Sequence, residues 1–294
     1  MEDSVLDKII LGHNQFFGIN HMSSERGVVR EQYFSNINNI IGLIKYAYSQ
    51  GAGGLMLSTH ERSREIAEGL RKDTELANNL HLYILLPYMA KYVRKANERG
   101  FVNMIFETLE SAGWSERISM GFKGGIGMLK QDPFSMMKAM IDIELLPFKG
   151  LNIKAVFLHN SLTDLAIGLG LFPVLDFFNE YISTRHRTSP AFCTLTSGLT
   201  MPYFHSEGLL NPIIMAPFNP AGFQMSPSKE ACEEALHRVP ARVVAMSILA
   251  AGYVKPSDAC AYLATLPEIK SVIVGASSES HIDEIFESLT VMSS

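Results

Sequence analysis

The feature that most constrains this chain is a repeated one: short apolar runs, each closing on a few polar residues and each followed by a stretch with helical spacing. The first four runs are residues 8–11 before Gly12, His13, Asn14 and Gln15; 54–57 before Ser58, Thr59, His60 and Glu61; 81–86 before Pro87 and Tyr88; and 153–158 before His159 and Asn160. The remaining four are 191–195 before Thr196 and Ser197; 212–217 before Phe218 and Asn219; 242–245 before Met246 and Ser247; and 271–274 before Gly275, Ala276, Ser277 and Ser278. Runs that are apolar throughout belong to strands covered on both faces, and parallel strands of that kind need helical crossovers. Eight such units close an α/β (β/α)8 TIM barrel, and a chain of 294 residues is expected to form one such domain over 1–294.

One segment competes with this count. Residues 117–122 alternate as a strand does and precede the glycine-rich Lys123, Gly124, Gly125. A ninth strand has no place in the closed barrel, so the segment is assigned to an insertion over 92–131, between the third and fourth strands. The alternative is that it replaces one of the eight. Helices are expected where Ile40, Leu43, Ile44 and Ala47 recur before Gly51, where Ile66 and Leu70 follow Ser63, and after Pro133, where Met136, Met137, Met140, Ile141 and Leu145 form one face.

Composition excludes several function classes. Hydrophobic residues make up 47 % and charged residues 19 %, enough to build a large core. The net charge is −5 and the longest basic run is Arg185, His186, Arg187, so neither nucleic acid nor an anionic membrane is the expected partner. No segment approaches the roughly 20 apolar residues that span a bilayer. Cys193, Cys232 and Cys260 lie far apart without metal or disulfide spacing, which suits core thiols in a reducing, cytoplasmic setting. The expected partner is a small-molecule substrate.

In a barrel, the residues just past the strands converge on one mouth where chemistry is done. His13, His60, Glu61, Tyr88 and His159 are the catalytic candidates there, and Asn14, Gln15, Asn160, Ser197 and Asn219 the substrate-binding ones. Taken singly, an Asn or Ser at such a place more often caps a helix than binds a ligand. His159 leads because it follows an apolar strand and an imidazole polarises a carbonyl or moves a proton near neutral pH. His13, His60 and Glu61 have ligand chemistry for zinc or iron, but no HxH or HExxH spacing supports a metal, and none is expected. A Schiff-base lysine has only Lys123 as a carrier, since Lys154 opens its strand and Lys91 lies in a loop. Ser247, Leu249 and Gly252, with Gly275, Ala276, Ser277 and Ser278, form two small, amide-rich loops of the kind that bind phosphate groups beside a helix N-terminus.

Several stretches resemble the aldo-keto reductases. Residues 271–284 (SVIVGASSESHIDE) are similar to that family's C-terminal signature, which holds the adenosine phosphates of NADP. Residues 243–252 resemble the preceding family segment, 43–59 the helix and second strand, and 157–160 the strand carrying the family's histidine. The likeness reaches most of the chain outside 92–131. It implies an NAD(P)-dependent oxidoreductase acting on a small carbonyl compound, with NADP as the cofactor. The departures are specific. Of the family's aspartate, tyrosine, lysine and histidine, only His159 matches; Ser58 stands for the aspartate, no tyrosine follows at the expected spacing, and Pro87-Tyr88 stands at the lysine's place. Met246 replaces the aromatic residue that stacks on nicotinamide, and Ile285 an asparagine near adenine. Loss of positioned proton transfer costs about 10²–10⁴-fold in rate. Two other readings therefore stand beside the reductase: a lyase or isomerase acting on a phosphorylated metabolite, and a catalytically inactive ligand-binding barrel.

Overall fold

In the computed structural model, the residues described are 6–17, 32–87 and 133–290. Tyr88, Lys91, Lys123, the insertion expected over 92–131 and its strand-like 117–122 lie outside them.

Eight parallel strands close in sequence order: β1 Ile9–Leu11, β2 Gly54–Ser58, β3 His81–Leu86, β4 Ile153–Leu158, β5 Ser189–Cys193, β6 Ile213–Pro217, β7 Arg242–Met246 and β8 Ser271–Val274. The main crossover helices are α1 Ile37–Ser49, α2 Ser63–Lys72, α3 Thr74–Asn79, α4 Pro133–Leu145, α5 Asn160–Gly168, α6 Phe172–Tyr181, α7 Ser197–Ser206, α8 Lys229–Arg238, α9 Pro256–Ala264 and α10 Glu279–Thr290. The helices expected from the sequence are present, although on α4 Met137 and Met140 are only half-buried and Ala139 and Ile143 join the buried face. Ile40, Leu43, Ile44 and Ala47 are the buried face of α1, as Ile66 and Leu70 are of α2, and Ile141 and Leu145 are buried on α4. Among the described residues, no helix is long and apolar enough to cross a membrane.

The strands carry two apolar faces because each side meets a different core. Alternate residues, among them Ile10, Met56, Tyr83, Phe157, Met215 and Val244, fill the barrel lumen. Their neighbours, such as Leu55, Leu57, Val156 and Ile214, pack outward beneath the helices. This alternation of side-chain direction decides which strand-end residues look into the mouth. On β2 the inward set is Gly54, Met56 and Ser58, and on β4 it is Ala155, Phe157 and then His159.

Lumen volume is set by complementary sizes. A Cβ on Gly54 would stand 2.5 Å from Tyr83 Cε2, and one on Gly53 would stand 2.6 Å from Asp7 Oδ1. The bare glycines let the Tyr83 ring and the Asp7 carboxylate occupy the barrel floor. There the Tyr83 hydroxyl donates to Asp7 Oδ2 at 2.6 Å, His81 Nδ1 lies 2.9 Å from the same oxygen, and Ser271 Oγ donates to the Asp7 carbonyl at 2.6 Å.

Four strands (β1, β2, β6 and β7) differ from their sequence boundaries by one residue at one end, and the fifth differs more. The apolar run places the fifth strand at 191–195, whereas β5 is Ser189–Cys193. Its start is Ser189-Pro190, with Pro190 registered against Val156. Its end is set by Asp164 on α5, whose Oδ2 accepts the Leu195 N–H at 3.0 Å and whose Oδ1 accepts the Thr194 and Thr196 hydroxyls. A carboxylate from the neighbouring crossover thus takes an amide that would otherwise extend the ladder.

Candidate active site at the barrel mouth

His159 follows the last residue of β4 and caps α5. Its Nδ1 accepts the Ser161 N–H at 3.2 Å, so the neutral ring carries its proton on Nε2. Burial pushes the His159 pKa below the ordinary histidine value, against the opposing pull of the Asp164 carboxylate. The result is a neutral imidazole that presents an N–H donor, the form suited to polarising a carbonyl oxygen.

Two further imidazoles come from β1 and β2. His13, just after β1, is buried; the Phe17 ring leans on it at 5.4 Å and stacks on His60 at 4.2 Å and 14°. Burial, reinforced by repulsion from His60 and His159, pushes the His13 pKa down to about 3, with the Met56 carbonyl pulling the other way. His13 is therefore uncharged across the physiological range and unsuited to the role of general acid. His60 Nδ1 accepts the Arg62 N–H at 3.1 Å, again leaving Nε2 to carry the proton of a neutral ring. Arg62 itself is held by the carbonyls of Phe16, Phe34 and Ser35. Glu61 and Asn14 are exposed at the rim. Gln15 is buried, donating to the Gly12 carbonyl at 2.6 Å, and its Oε1 lies beside Gly275.

At β5 and β6 the chain uses its polar residues mainly on itself. Asn160 and Ser197 are the first residues of α5 and α7. Asn219 donates to the Phe223 carbonyl at 2.9 Å and accepts the Phe223 N–H at 2.8 Å, which closes the loop after β6. Asp164, which ties β5 to α5 and acts on His159, has no motif in the sequence to announce it; its only signal is an acidic residue about one turn beyond a strand-end histidine. Phe17, ringed by two imidazoles, shows no signal at all.

The loops after β7 and β8 face the same opening. Ser247, Ala250, Ala251 and Gly252 have left-handed φ of 54°, 44°, 59° and 96°, with Leu249 between them at −91°. Leu249 accepts the Gly252 and Val254 amides, and Ser247 donates to Gln224 Oε1 at 3.3 Å. Ser278 caps α10 by accepting the His281 N–H at 3.3 Å, with Ser277 beside His281. Ala276 is buried and Gly275 open at the rim. Among the described residues, no three His, Cys, Asp or Glu side chains are grouped closely enough to hold a metal ion.

Comparison with solved structures decides which barrel this is. Over its full length the chain superposes on a protein assigned to the aldo-keto reductases from Pseudomonas aeruginosa, with a TM-score of 0.63 and 12 % identity, covering 93 % of that chain. The chain has the barrel fold of the aldo-keto reductases. The same aldo-keto-reductase-like barrel is found at TM-score 0.53 and 10 % identity in the glycerol dehydrogenase of Gluconobacter oxydans (99 % of this chain, 91 % of that one). It is also found at 0.50 and 11 % in a Bombyx mori aldo-keto reductase in complex with NADP (97 % and 87 %). No protein-family profile and no curated protein sequence matches the chain. At these identities the likeness is one of fold, and the side chains differ where it matters. Ser58, at the place where the resemblance expects an aspartate, is a buried neutral hydroxyl ending β2.

Proposed function

We propose that the chain is an oxidoreductase that transfers hydride between a nicotinamide dinucleotide and a small carbonyl compound. The observation that carries this reading is His159: a neutral imidazole at the mouth of an aldo-keto-reductase-like barrel, with Nδ1 tied down and Nε2–H left to donate. It polarises the carbonyl, and delivery of the proton, in place of the missing tyrosine, is assigned to Tyr88. The nicotinamide, when bound, supplies the hydride.

The loops after β7 and β8 suit the diphosphate of such a cofactor. The N-terminus of α10 favours an anion, and Gly275 leaves room beside Gln15 Oε1. They suit a 2′-phosphate less well. Residues 275–284 contain no Lys or Arg, while Glu279, Asp283 and Glu284 are acidic. NADH is therefore expected to bind at least as tightly as NADPH. Fluorescence titration of the purified protein with each nucleotide tests this: saturable binding of NADH supports the reading, and the absence of binding by both sinks it. In that case, protection against unfolding by phosphorylated metabolites alone would favour the lyase or isomerase reading.

A further inference from the structure

Arg62 reaches both members of the aromatic pair at the mouth, one through its main chain and the other through its side chain. Its N–H donates to His60 Nδ1 at 3.1 Å, which fixes the imidazole. Its guanidinium donates from Nη1 to the Phe16 carbonyl at 3.2 Å, and from Nη2 to the Phe34 and Ser35 carbonyls at 2.7 Å and 3.2 Å. Phe16 follows β1 and Phe34 leads into α1, so one side chain ties the two ends of that crossover. The Phe16 carbonyl shares a planar peptide with the Phe17 N–H, and holding it sets the plane from which the Phe17 side chain departs. The Phe17 ring then lies on His60, with 4.2 Å between centroids and 14° between planes, and leans on His13 at 5.4 Å.

The guanidinium is spent on backbone rather than on a carboxylate. Its ion pair among the described residues joins Nε to Glu65 Oε2 at 3.6 Å, and that side chain is 51 % exposed, so the pair fixes little. Carbonyls bonded by a charged donor are held more firmly than by a neutral one. The planar fork serves acceptors on two segments at once, whereas an ammonium group brings its hydrogens to a single nitrogen. The Phe16 and Phe34 rings, buried and edge-to-face at 5.4 Å, anchor the crossover in the core. Phe17 and His60 are only half-buried, so core packing does not hold their stack on every side.

We propose that Arg62 is a positioning residue: by clamping the carbonyls at both ends of the β1–α1 crossover it keeps the Phe17 ring stacked on His60, and so sets the wall of the mouth formed by His13, Phe17 and His60. Only its effect on turnover rests on the carbonyl reading of the same mouth.

Histidine-selective proton–carbon NMR of the full chain reads the stack directly, because a benzene ring lying over an imidazole shifts its carbon-bound protons upfield. The His60 signal is identified by its loss in His60→Gln, and the His81 signal, from the Asp7 contact at the barrel floor, reports that each variant is folded. In the unsubstituted protein the His60 signal is expected upfield, and it moves downfield in both Arg62→Lys and Phe17→Leu. Because Arg62 acts through Phe17, adding Arg62→Lys to Phe17→Leu moves it no further, the non-additivity of residues that share one path. Should Arg62→Lys lose the folded His81 signal, Arg62→Gln, which keeps a neutral donor, is read in the same way. A His60 signal that stays in place on substitution of Arg62 would leave the Phe16 and Phe34 rings as sufficient anchors and overturn the inference, as would an additive double variant.

NADH oxidation with a small ketone is followed on the same variants. Arg62→Lys and Phe17→Leu are each expected to lower kcat/KM about tenfold, less than the ~10²-fold that a 1 Å misplacement can cost, and the double variant no more than either. If the His60 signal moves but no form of the protein oxidises NADH, the redox reading falls and the role of Arg62 in the stack stands. If turnover is present and unchanged in Arg62→Lys, the role of Arg62 at the mouth falls and the redox reading stands.

Discussion

At the scale of single residues, the mouth is governed by which nitrogen of each imidazole carries the proton. His159 and His60 each accept a backbone N–H at Nδ1, which leaves Nε2 to carry the proton of the neutral ring, whereas His13 is buried with Nδ1 unpaired. His159 joins two jobs in one residue, since Nδ1 caps α5 while Nε2–H faces the mouth. The two are separable by mutation. His159→Asn retains a cap acceptor for Ser161, whereas His159→Ala retains neither function. Both are expected to lower kcat/KM by about 10²–10³-fold, the loss typical of one donor to a developing oxyanion. Only His159→Ala should also lose about 1 kcal/mol of stability. Steady-state kinetics and urea unfolding of the pair check this, and a loss of activity confined to His159→Ala would show that the cap alone matters.

Elements are where the sequence was most legible. The runs at 81–86, 153–158 and 271–274 coincide with β3, β4 and β8, because a strand covered on both sides must be apolar along its whole length. The run at 191–195 was displaced by two residues, because the Asp164 carboxylate reaches from α5 to the Leu195 amide. No local pattern encodes such a contact across 31 residues. Packing between elements was equally hidden. Gly51 to Gly54 looks like a flexible turn entering β2, yet Gly54 is where the Tyr83 ring of β3 crosses the lumen. Gly54→Ala would set a methyl group 2.5 Å from Tyr83 Cε2. The strained repacking is expected to cost about 1–3 kcal/mol, read as a lower denaturant midpoint at unchanged m-value.

For the whole molecule, the barrel separates function from stability along its axis. The histidines and the loops after β7 and β8 gather at the C-terminal end of the strands, while Asp7, His81, Tyr83 and Ser271 lock the N-terminal end. Burial and the Asp7 carboxylate both keep the Tyr83 phenol protonated, so it remains a hydrogen-bond donor at the floor rather than a proton source for the mouth. Tyr83→Phe removes the bond to a charged acceptor and is expected to cost about 1.5–3 kcal/mol of stability. Since the floor takes no part in the chemistry, kcat/KM should stay within about twofold. Thermal unfolding and kinetics on the same variant test the division, and a large fall in kcat/KM at full stability would contradict it.

The sequence by itself determined the barrel. The apolar runs, their number and the helical spacing between them are local properties, and period and burial translate them directly into strands and crossovers. It also placed His13, His60 and His159 near one mouth, because strand ends in a barrel converge. Only the tertiary structure decided what those residues can do there. Protonation, tautomer and pairing depend on groups far away in the chain, such as the Met56 carbonyl at His13 and Asp164 at the end of β5. The barrel follows from the pattern of the chain, and the chemistry from distances that the pattern does not carry.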